Sequence, residues 1–351
     1  MWPFSLGRLN NGGDHRSTQI QELLAGGGSQ PVFIDPSRIT KSRLSLVLRT
    51  AQRILQFRQI PSRFPRGVSV FGNDFFVCRD QISRLKPIDS MIWEATSECS
   101  TMAILRKYAR RVVAVPQNLE SLGAQRSGIF GRNSAKFSKE IKFLSMADEV
   151  FTISEDEAWI LRLMGLKASC LPYFPPKVLS DRLLAIRALR QKVEPQNGFL
   201  VLGSMTNPPT AEALRELVSW LSESAISRAS RFLVAGNGTE VLAHEKHMEN
   251  VQILGRVSHD ELDQLRVHVK GVIIHQRITT GMVTRIAESV LAGIPVIANS
   301  DAARGGASFD GVHVYNSITE LSDLLNADLP IPNIPSRPSK EETKFQQSIC
   351  G

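Results

Sequence analysis

The chain has 351 residues, 42% of them hydrophobic and 22% charged, which suits a folded protein of two domains of roughly 150 residues each. Cys78, Cys99, Cys170 and Cys350 form no C-x-x-C pair and have no histidine at ligand spacing, which excludes a disulfide framework and a structural zinc site. A net charge of +8 makes nucleic acid, anionic lipid and phosphorylated compounds the partners to weigh.

The start MWPFSLGRLNNGG lacks a secretory core, and no apolar run approaches the roughly 20 residues that span a bilayer, so a cytoplasmic location is expected. Leu9 to Leu24 reads as a Gly-rich loop, carrying Gly12 and Gly13, that enters a helix. The strand ahead of it is very short, or the natural start lies upstream. Asp14, His15 and Arg16 read as solvated loop residues or as functional ones.

From Arg38 to Arg66 eight basic residues occur with no acid among them. Leu44, Val47, Leu48, Ala51, Ile54 and Leu55 recur there at helical spacing, with Arg43, Arg49, Arg53 and Arg58 mostly at the flanks. This predicts a core helix with a solvated basic rim, or a helix resting on the anionic cytoplasmic leaflet. In the second case each arginine contributes on the order of 1 kcal/mol. Only Phe57 and Phe64 interleave with these cations and no recognised module is present, so no nucleic-acid partner is expected.

RRVVAVPQN (110–118) and DEVFTISEDEAWIL (148–161) are strand-then-turn segments, the second passing into a helix capped by Ser154. ALRQKVEPQN (188–197) is polar and reads as a linker. The strand NGFLVLGS (197–204) is followed by a helix from Pro208, with Ala213, Leu214, Leu217, Trp220 and Leu221 at helical spacing. RFLVAGNG and VQILGRV are strands, and SHDELDQL opens a helix with a capping box of Ser258 and Glu261. GVIIHQ, IPVIANS and VHVYNS are further strands, and ITELSDLLN is a helix. Continuous apolar strands alternating with helices indicate α/β domains, each with a parallel sheet covered on both faces. The expected divisions are an N-terminal domain at 1–176, a linker at 177–196, a C-terminal domain at 197–330 and a polar, weakly packed tail at 331–351.

The sharpest segment is HQRITTGMVTRIAESVLAGIPVIAN, His275 to Asn299. A strand ends near Gln276, Thr279, Thr280 and Gly281 form a loop, and a helix is predicted from Gly281 to Ala292, stopped by Gly293. Free amides and the dipole at a helix start make an anion site, with Arg277 and Arg285 nearby as cations. Glu288, about two turns along the same side, is placed to accept hydrogen bonds from a ribose diol. An ordinary βα crossover with surface arginines and a solvated glutamate explains the segment equally well.

TTGMVTRIAESVLAGIPVIAN resembles the donor-binding segment of retaining GT-B glycosyltransferases of the "group 1" family. FLVLGSMTNPPTAEAL, RFLVAGNG, VQILGRVSHDELDQL and the last helix follow that family's order, so the resemblance covers Phe199 to Leu325. It implies two Rossmann-like domains whose parallel sheets face across a cleft. It also implies a nucleotide-diphosphate sugar as co-substrate, with no cofactor. By resemblance Glu288 binds the ribose, the Gly281 and Met282 amides face the diphosphate beside Thr280, and Arg277 matches a basic residue found before this loop. In chemical terms the helix start, Arg277 and Arg285 are expected to stabilise the leaving group. In the N-terminal half Gly12 and Gly13 match the family's paired-glycine loop near the donor phosphates. Gln117 stands where relatives carry a histidine beside the reacting sugar; it can orient a hydroxyl but cannot act as a base.

Two departures matter: Thr280 replaces a glutamate that binds the donor sugar in many members, and Val283 replaces a lysine. No D-x-D occurs, which disfavours a metal-dependent transferase. HEKH (His244 to His247) lacks the H-E-x-x-H spacing and reads as a solvated helix face, and His275 as a hydrogen-bonded structural residue. The expected function is therefore retaining sugar transfer to a glycan or lipid-linked acceptor in cell-surface polysaccharide synthesis. The protein is expected in the cytoplasm, peripheral on the inner membrane face if the basic helix binds lipid. The competing reading is a catalytically weak GT-B relative that binds a glycan or a partner protein.

Overall fold

A computed structural model describes residues 12–27, 51, 82, 84–85, 88–94, 102–123, 130–223, 230–244, 249–277 and 280–350. All but residue 51 of the basic segment 38–66, and most of HEKH, lie outside these. The chain forms two compact units, one of residues 1–172 and 338–351, the other of residues 173–337.

In the first unit the described strands are β1 (Ile88–Trp93), β2 (Ala109–Ala114), β3 (Glu149–Thr152) and β4 (Ala168–Cys170). They make a parallel sheet in the order β1-β2-β3-β4. Successive side chains point to opposite faces, and both faces are closed. Val112, Ala114 and Val150 pack with Met102, Phe143, Leu144 and Leu161 on one side. These four come from helices α2 (Met102–Tyr108), α4 (Phe130–Leu144) and α5 (Glu155–Leu163); a short α3 (Glu120–Gly123) lies between the first two. Val113, Val115 and Phe151 pack on the other side with Ile20, Leu23 and Leu24 of α1 (Gly12–Gly26). The predicted Ser154 cap is present on α5, its side chain accepting from the Glu157 amide.

The second unit begins with helix α6 (Lys177–Arg190), so the segment expected as a linker is largely structured. The sheet contains β5 (Gln196–Leu202), β6 (Arg231–Ala235), β7 (Val251–Gly255), β8 (Val269–Ile274), β9 (Val296–Asn299) and β10 (Val312–Tyr315). All described pairings are parallel, in the order β10-β9-β8-β5-β6-β7. The helices are α7 (Pro208–Glu223), α8 (His259–His268), α9 (Thr284–Leu291), α10 (Ser300–Ala303) and α11 (Ile318–Asn326). Leu200, Val272, Ile274 and Val296 face α6 and α9, whereas Phe199, Val201, Phe232 and Ile273 face α7 and α11. The Ser258–Glu261 capping box forms on α8.

Two buried arginines of α6 anchor this unit. Arg190 donates from Nη1 to the carbonyls of Arg266 (2.6 Å), Val267 (3.1 Å) and Val269 (2.8 Å), and from Nε to Gly293 (3.2 Å). Arg187 donates to Val290 (2.6 Å), Leu291 (2.9 Å) and Pro332 (2.8 Å). The carbonyls left without partners at the ends of α8 and α9 are thereby satisfied, by cations at the negative ends of both dipoles. Burial pulls Arg190 down to about 10, so it remains charged at neutral pH.

The tail also differs from expectation. Residues 339–350 form helix α12 (Ser339–Cys350), which completes the first unit. Phe345 is fully buried and meets Phe151 edge-on at 5.2 Å. Gln346 donates to the Leu23 carbonyl (2.7 Å), and the Ser90 hydroxyl donates to the Ile349 carbonyl (2.7 Å). Two apolar residues one turn apart, Phe345 and Ile349, suffice to seat an otherwise polar helix. Phe345→Ala should cost about 3–5 kcal/mol of first-unit stability. Faster hydrogen exchange at the amides of α1 and β3 would register this; unchanged exchange would make the tail dispensable.

Candidate functional site

In the second unit β5 and β8 are neighbours, and the chain winds outward from them in opposite directions. Loops leaving the carboxyl ends of such a pair diverge and leave a crevice, the usual ligand position in open parallel sheets. The sequence builds this rim from small residues. A Cβ on Gly203, just after β5, would lie 2.5 Å from Leu214 Cδ1. Gly236, just after β6, has φ +149, and a Cβ there would lie 1.6 Å from the Gly203 carbonyl oxygen. The two loops are therefore in backbone contact, with the Gly203 amide donating to Ala235 (3.2 Å) and Met205 to Asn237 (2.9 Å).

On the β8 side Gln276 and Asn299 exchange hydrogen bonds, Gln276 amide to Oδ1 (3.0 Å) and Nδ2 to the Gln276 carbonyl (2.7 Å). The Gln276 side chain also meets Thr210 Oγ1 at 3.1 Å. Thr280, Gly281 and Met282 then form a loop, and α9 starts at Thr284 rather than at Gly281. Gly281 has φ +72, which a right-handed helix does not admit, so the helix begins only after it. No side chain caps the start at Val283, nor that of α6 at Pro176, whereas α5, α8, α10 and α11 have side-chain caps.

The predicted charged residues do not act together. Arg285 reaches the end of β5, where Nη1 donates to the Leu202 carbonyl, so one cation does sit at the crevice. Burial lowers its pKa and the nearby Glu288 opposes that shift. Arg277 instead forms a bidentate pair with Glu216 (Nε 2.7 Å, Nη2 2.8 Å), so its charge is already answered. Glu288 is buried; Tyr173 Oη donates to Oε1 (3.1 Å) and Arg266 Nη2 lies 3.6 Å from Oε2.

His275 has the structural setting expected of it. Nδ1 pairs with the Tyr315 hydroxyl (2.6 Å), Nε2 lies 3.3 Å from Glu216, and Trp220 meets the ring edge-on at 5.2 Å. Glu216 and Trp220, one turn apart on α7, are the sequence signal that would have marked this cluster.

In the first unit the structure brings Gln117 to Gly13. Gln117 Nε2 donates to the Gly13 carbonyl (3.3 Å), the Ser17 hydroxyl (3.3 Å) and Glu94 Oε1 (3.1 Å). Gly12 and Gly13 are the first residues of α1 and not a loop ahead of it. Arg16, read as solvated or functional, is buried and donates to Gln19 (2.6 Å) and to the carbonyls of Leu171 (2.6 Å) and Pro172 (3.2 Å). Among the described residues no group of three or more His, Cys, Asp or Glu could hold a metal ion, and no helix is long and apolar enough to cross a membrane.

The His275 cluster makes second-unit stability pH-dependent. Burial holds His275 below its ordinary 6.5, and the Arg277 hydrogen bonds hold Glu216 below its ordinary 4.5. Both groups take up protons more readily when unfolded. Each contribution is complete above the unfolded value and is lost as pH falls below it towards the folded value. The urea midpoint followed by Trp220 fluorescence should drop from about pH 7 to about pH 5, and less so in His275→Gln. Identical pH dependence in the two proteins would contradict the assignment.

No protein-family model and no curated protein matches the sequence. Solved structures do. A UDP-forming α,α-trehalose-phosphate synthase from Burkholderia xenovorans aligns with TM-score 0.59 at 13% identity, over 97% of this chain and 93% of that one. A UDP-GlcNAc 2-epimerase from Methanocaldococcus jannaschii, in complex with UDP-GlcNAc and UDP, aligns with TM-score 0.55 at 13% identity over 96% of each chain. A sucrose-phosphate synthase from Thermosynechococcus elongatus aligns with TM-score 0.55 at 13% identity, over 83% of this chain and 76% of that one. With its two parallel-sheet α/β units, the chain has the GT-B fold.

Proposed function

We propose that the chain is a retaining glycosyltransferase that takes a sugar from a nucleotide-diphosphate donor bound at the β5–β8 crevice. The acceptor is a glycan or a lipid-linked sugar, in cell-surface polysaccharide synthesis. The observation that carries this reading is the pairing of the α9 start, which no side chain caps, with Arg285 at the end of β5. A helix start and a guanidinium together suit a diphosphate, whose negative charge grows as the anomeric carbon–oxygen bond breaks. Gly281 lets the backbone come close to that group.

Glu288 is the ribose ligand in this reading. Its Oε1 already accepts one hydroxyl, that of Tyr173, so a ribose hydroxyl would replace or join a partner of the same chemistry. Thr280, in the loop, contacts the donor sugar where other members of the resembled family use a glutamate. The solved structure of the epimerase with UDP-GlcNAc and UDP favours a second reading, a nucleotide-sugar epimerase, because the two chains match over 96% of their lengths. Wild-type protein incubated with UDP-, GDP- and ADP-sugars separates the readings by NMR. Slow release of the sugar as its α-anomer from an α-linked donor supports a retaining transferase. An epimerised nucleotide sugar supports the alternative, and no turnover supports a binding protein.

Glu288→Gln should weaken UDP binding roughly 10- to 150-fold by calorimetry, the value of a charged hydrogen bond worth about 1.5–3 kcal/mol. Unaltered affinity would remove Glu288 from the donor site. Activity should persist in excess EDTA, because the leaving diphosphate is answered by α9 and Arg285. Complete loss on chelation, restored by manganese, would reassign the leaving-group chemistry to a metal. For the basic segment 38–66 we propose contact with the anionic inner leaflet. Salt-sensitive sedimentation with anionic but not neutral liposomes, weakened in an Arg49→Glu, Arg53→Glu variant, is the expected result.

A further inference from the structure

Glu94 belongs to neither the predicted site nor the hydrophobic core. It follows β1 directly, at the carboxyl edge of the first unit's parallel sheet. Its Oε1 accepts from the Ser17 hydroxyl and from Gln117 Nε2 (3.1 Å). Gln117 is steadied in turn by the Gly13 carbonyl (3.3 Å). Three elements thus converge on one carboxyl oxygen: the end of β1, the segment after β2 and the first turns of α1. Hydrogen bonds from the described residues reach Oε1 only; none reaches Oε2.

Chemistry narrows what Oε2 can meet. Arg16 acts on Glu94 through space, and its hydrogen bonds include those to Gln19 and the Leu171 and Pro172 carbonyls. Among the described residues the groups hydrogen-bonded to Glu94 are a hydroxyl and an amide, both uncharged. Burial raises the Glu94 pKa, with the Ser17 and Gln117 hydrogen bonds opposing it. An anionic ligand would be repelled by the carboxylate, and among the described residues Glu94 belongs to no cluster of His, Cys, Asp or Glu that could hold a metal ion. A neutral hydroxyl fits both protonation states, since a carboxylate accepts from it and a carboxylic acid donates to it.

We propose that Glu94, set by Ser17 and Gln117, is a hydroxyl-binding residue for a neutral polyol, namely the sugar or glycerol portion of the acceptor. The identity of that polyol as acceptor rests on the glycosyltransferase reading; the binding of a polyol does not. Gln117 then serves to fix Glu94.

Saturation-transfer NMR on the full chain tests this with methyl α-glucoside, methyl α-mannoside, methyl α-galactoside, methyl N-acetyl-glucosaminide and glycerol as probes. At least one probe should bind the wild type. Its affinity should fall tenfold or more in Glu94→Ala and several-fold in Glu94→Gln, which keeps an oxygen for Ser17 and Gln117. UDP affinity, read by calorimetry, should be unchanged in both variants. If Glu94→Ala melts early, Glu94→Gln carries the comparison. Binding of no probe by the wild type, or equal binding by wild type and Glu94→Gln, overturns the proposal. Failure of UDP, GDP and ADP to bind the wild type would instead remove the transferase reading, whatever the polyol result.

Discussion

Strands β5 and β8 lie side by side with the chain winding away from them in opposite directions, and the second unit is built around that reversal. Both sheet faces are closed by helices, so the loops at the reversal cannot fold down onto either face. They pack against each other at the rim, which is why Gly203 and Gly236 can carry no side chain without forcing them apart. Gln276 and Asn299 close the other rim by exchanging hydrogen bonds across the ends of β8 and β9. The crevice is a consequence of strand order first and of side chains second.

The same reasoning changes how the net charge is understood. A surplus of +8 reads as a surface attracting anions, yet Arg16, Arg187, Arg190 and Arg266 are buried. Arg16, Arg187 and Arg190 direct hydrogen bonds at backbone carbonyls, at the end of β4 and at the ends of α8 and α9. A guanidinium used in this way needs no acidic partner, because the partial charges of aligned carbonyls supply the opposite sign. Part of the surplus is therefore structural. Arg277 and Arg285 divide along the same line: the first is paired with Glu216 at the surface, the second turned inward to the Leu202 carbonyl.

Local signals were legible in the sequence and distant ones were not. The Ser154 cap, the Ser258–Glu261 box and the turn at Gly293 each depend on residues within one turn of each other, and each is present. Helix α6 was hidden because buried arginines occupy its inner face between Leu179, Leu183 and Ile186, so the apolar stripe looks broken. Helix α12 was hidden by the opposite economy, two apolar residues among polar ones. The start of α9 was placed three residues early because Gly281 marks a loop in some sequences and a helix start in others. Only its φ of +72 decides which. The pairs Glu216–His275 and Glu94–Gln117 join residues 59 and 23 positions apart, and no pattern in one sequence states such a pairing.

Helix α9 shows why the donor reading and the core cannot be separated in this unit. Ile286, Val290 and Leu291 of this short helix enter the hydrophobic cluster beneath the sheet. Arg285 and Glu288, three positions apart and so neighbours on the helix surface, point to the Leu202 carbonyl and to Tyr173 and Arg266. Arg187 holds the far end of the helix by the carbonyls of Val290 and Leu291. A ligand at the near end therefore meets groups whose positions are set by core packing and not by loop conformation. A donor bound there, as proposed, would be selected by what the helix start already presents: one cation, backbone amides and a carboxylate that already accepts a hydroxyl.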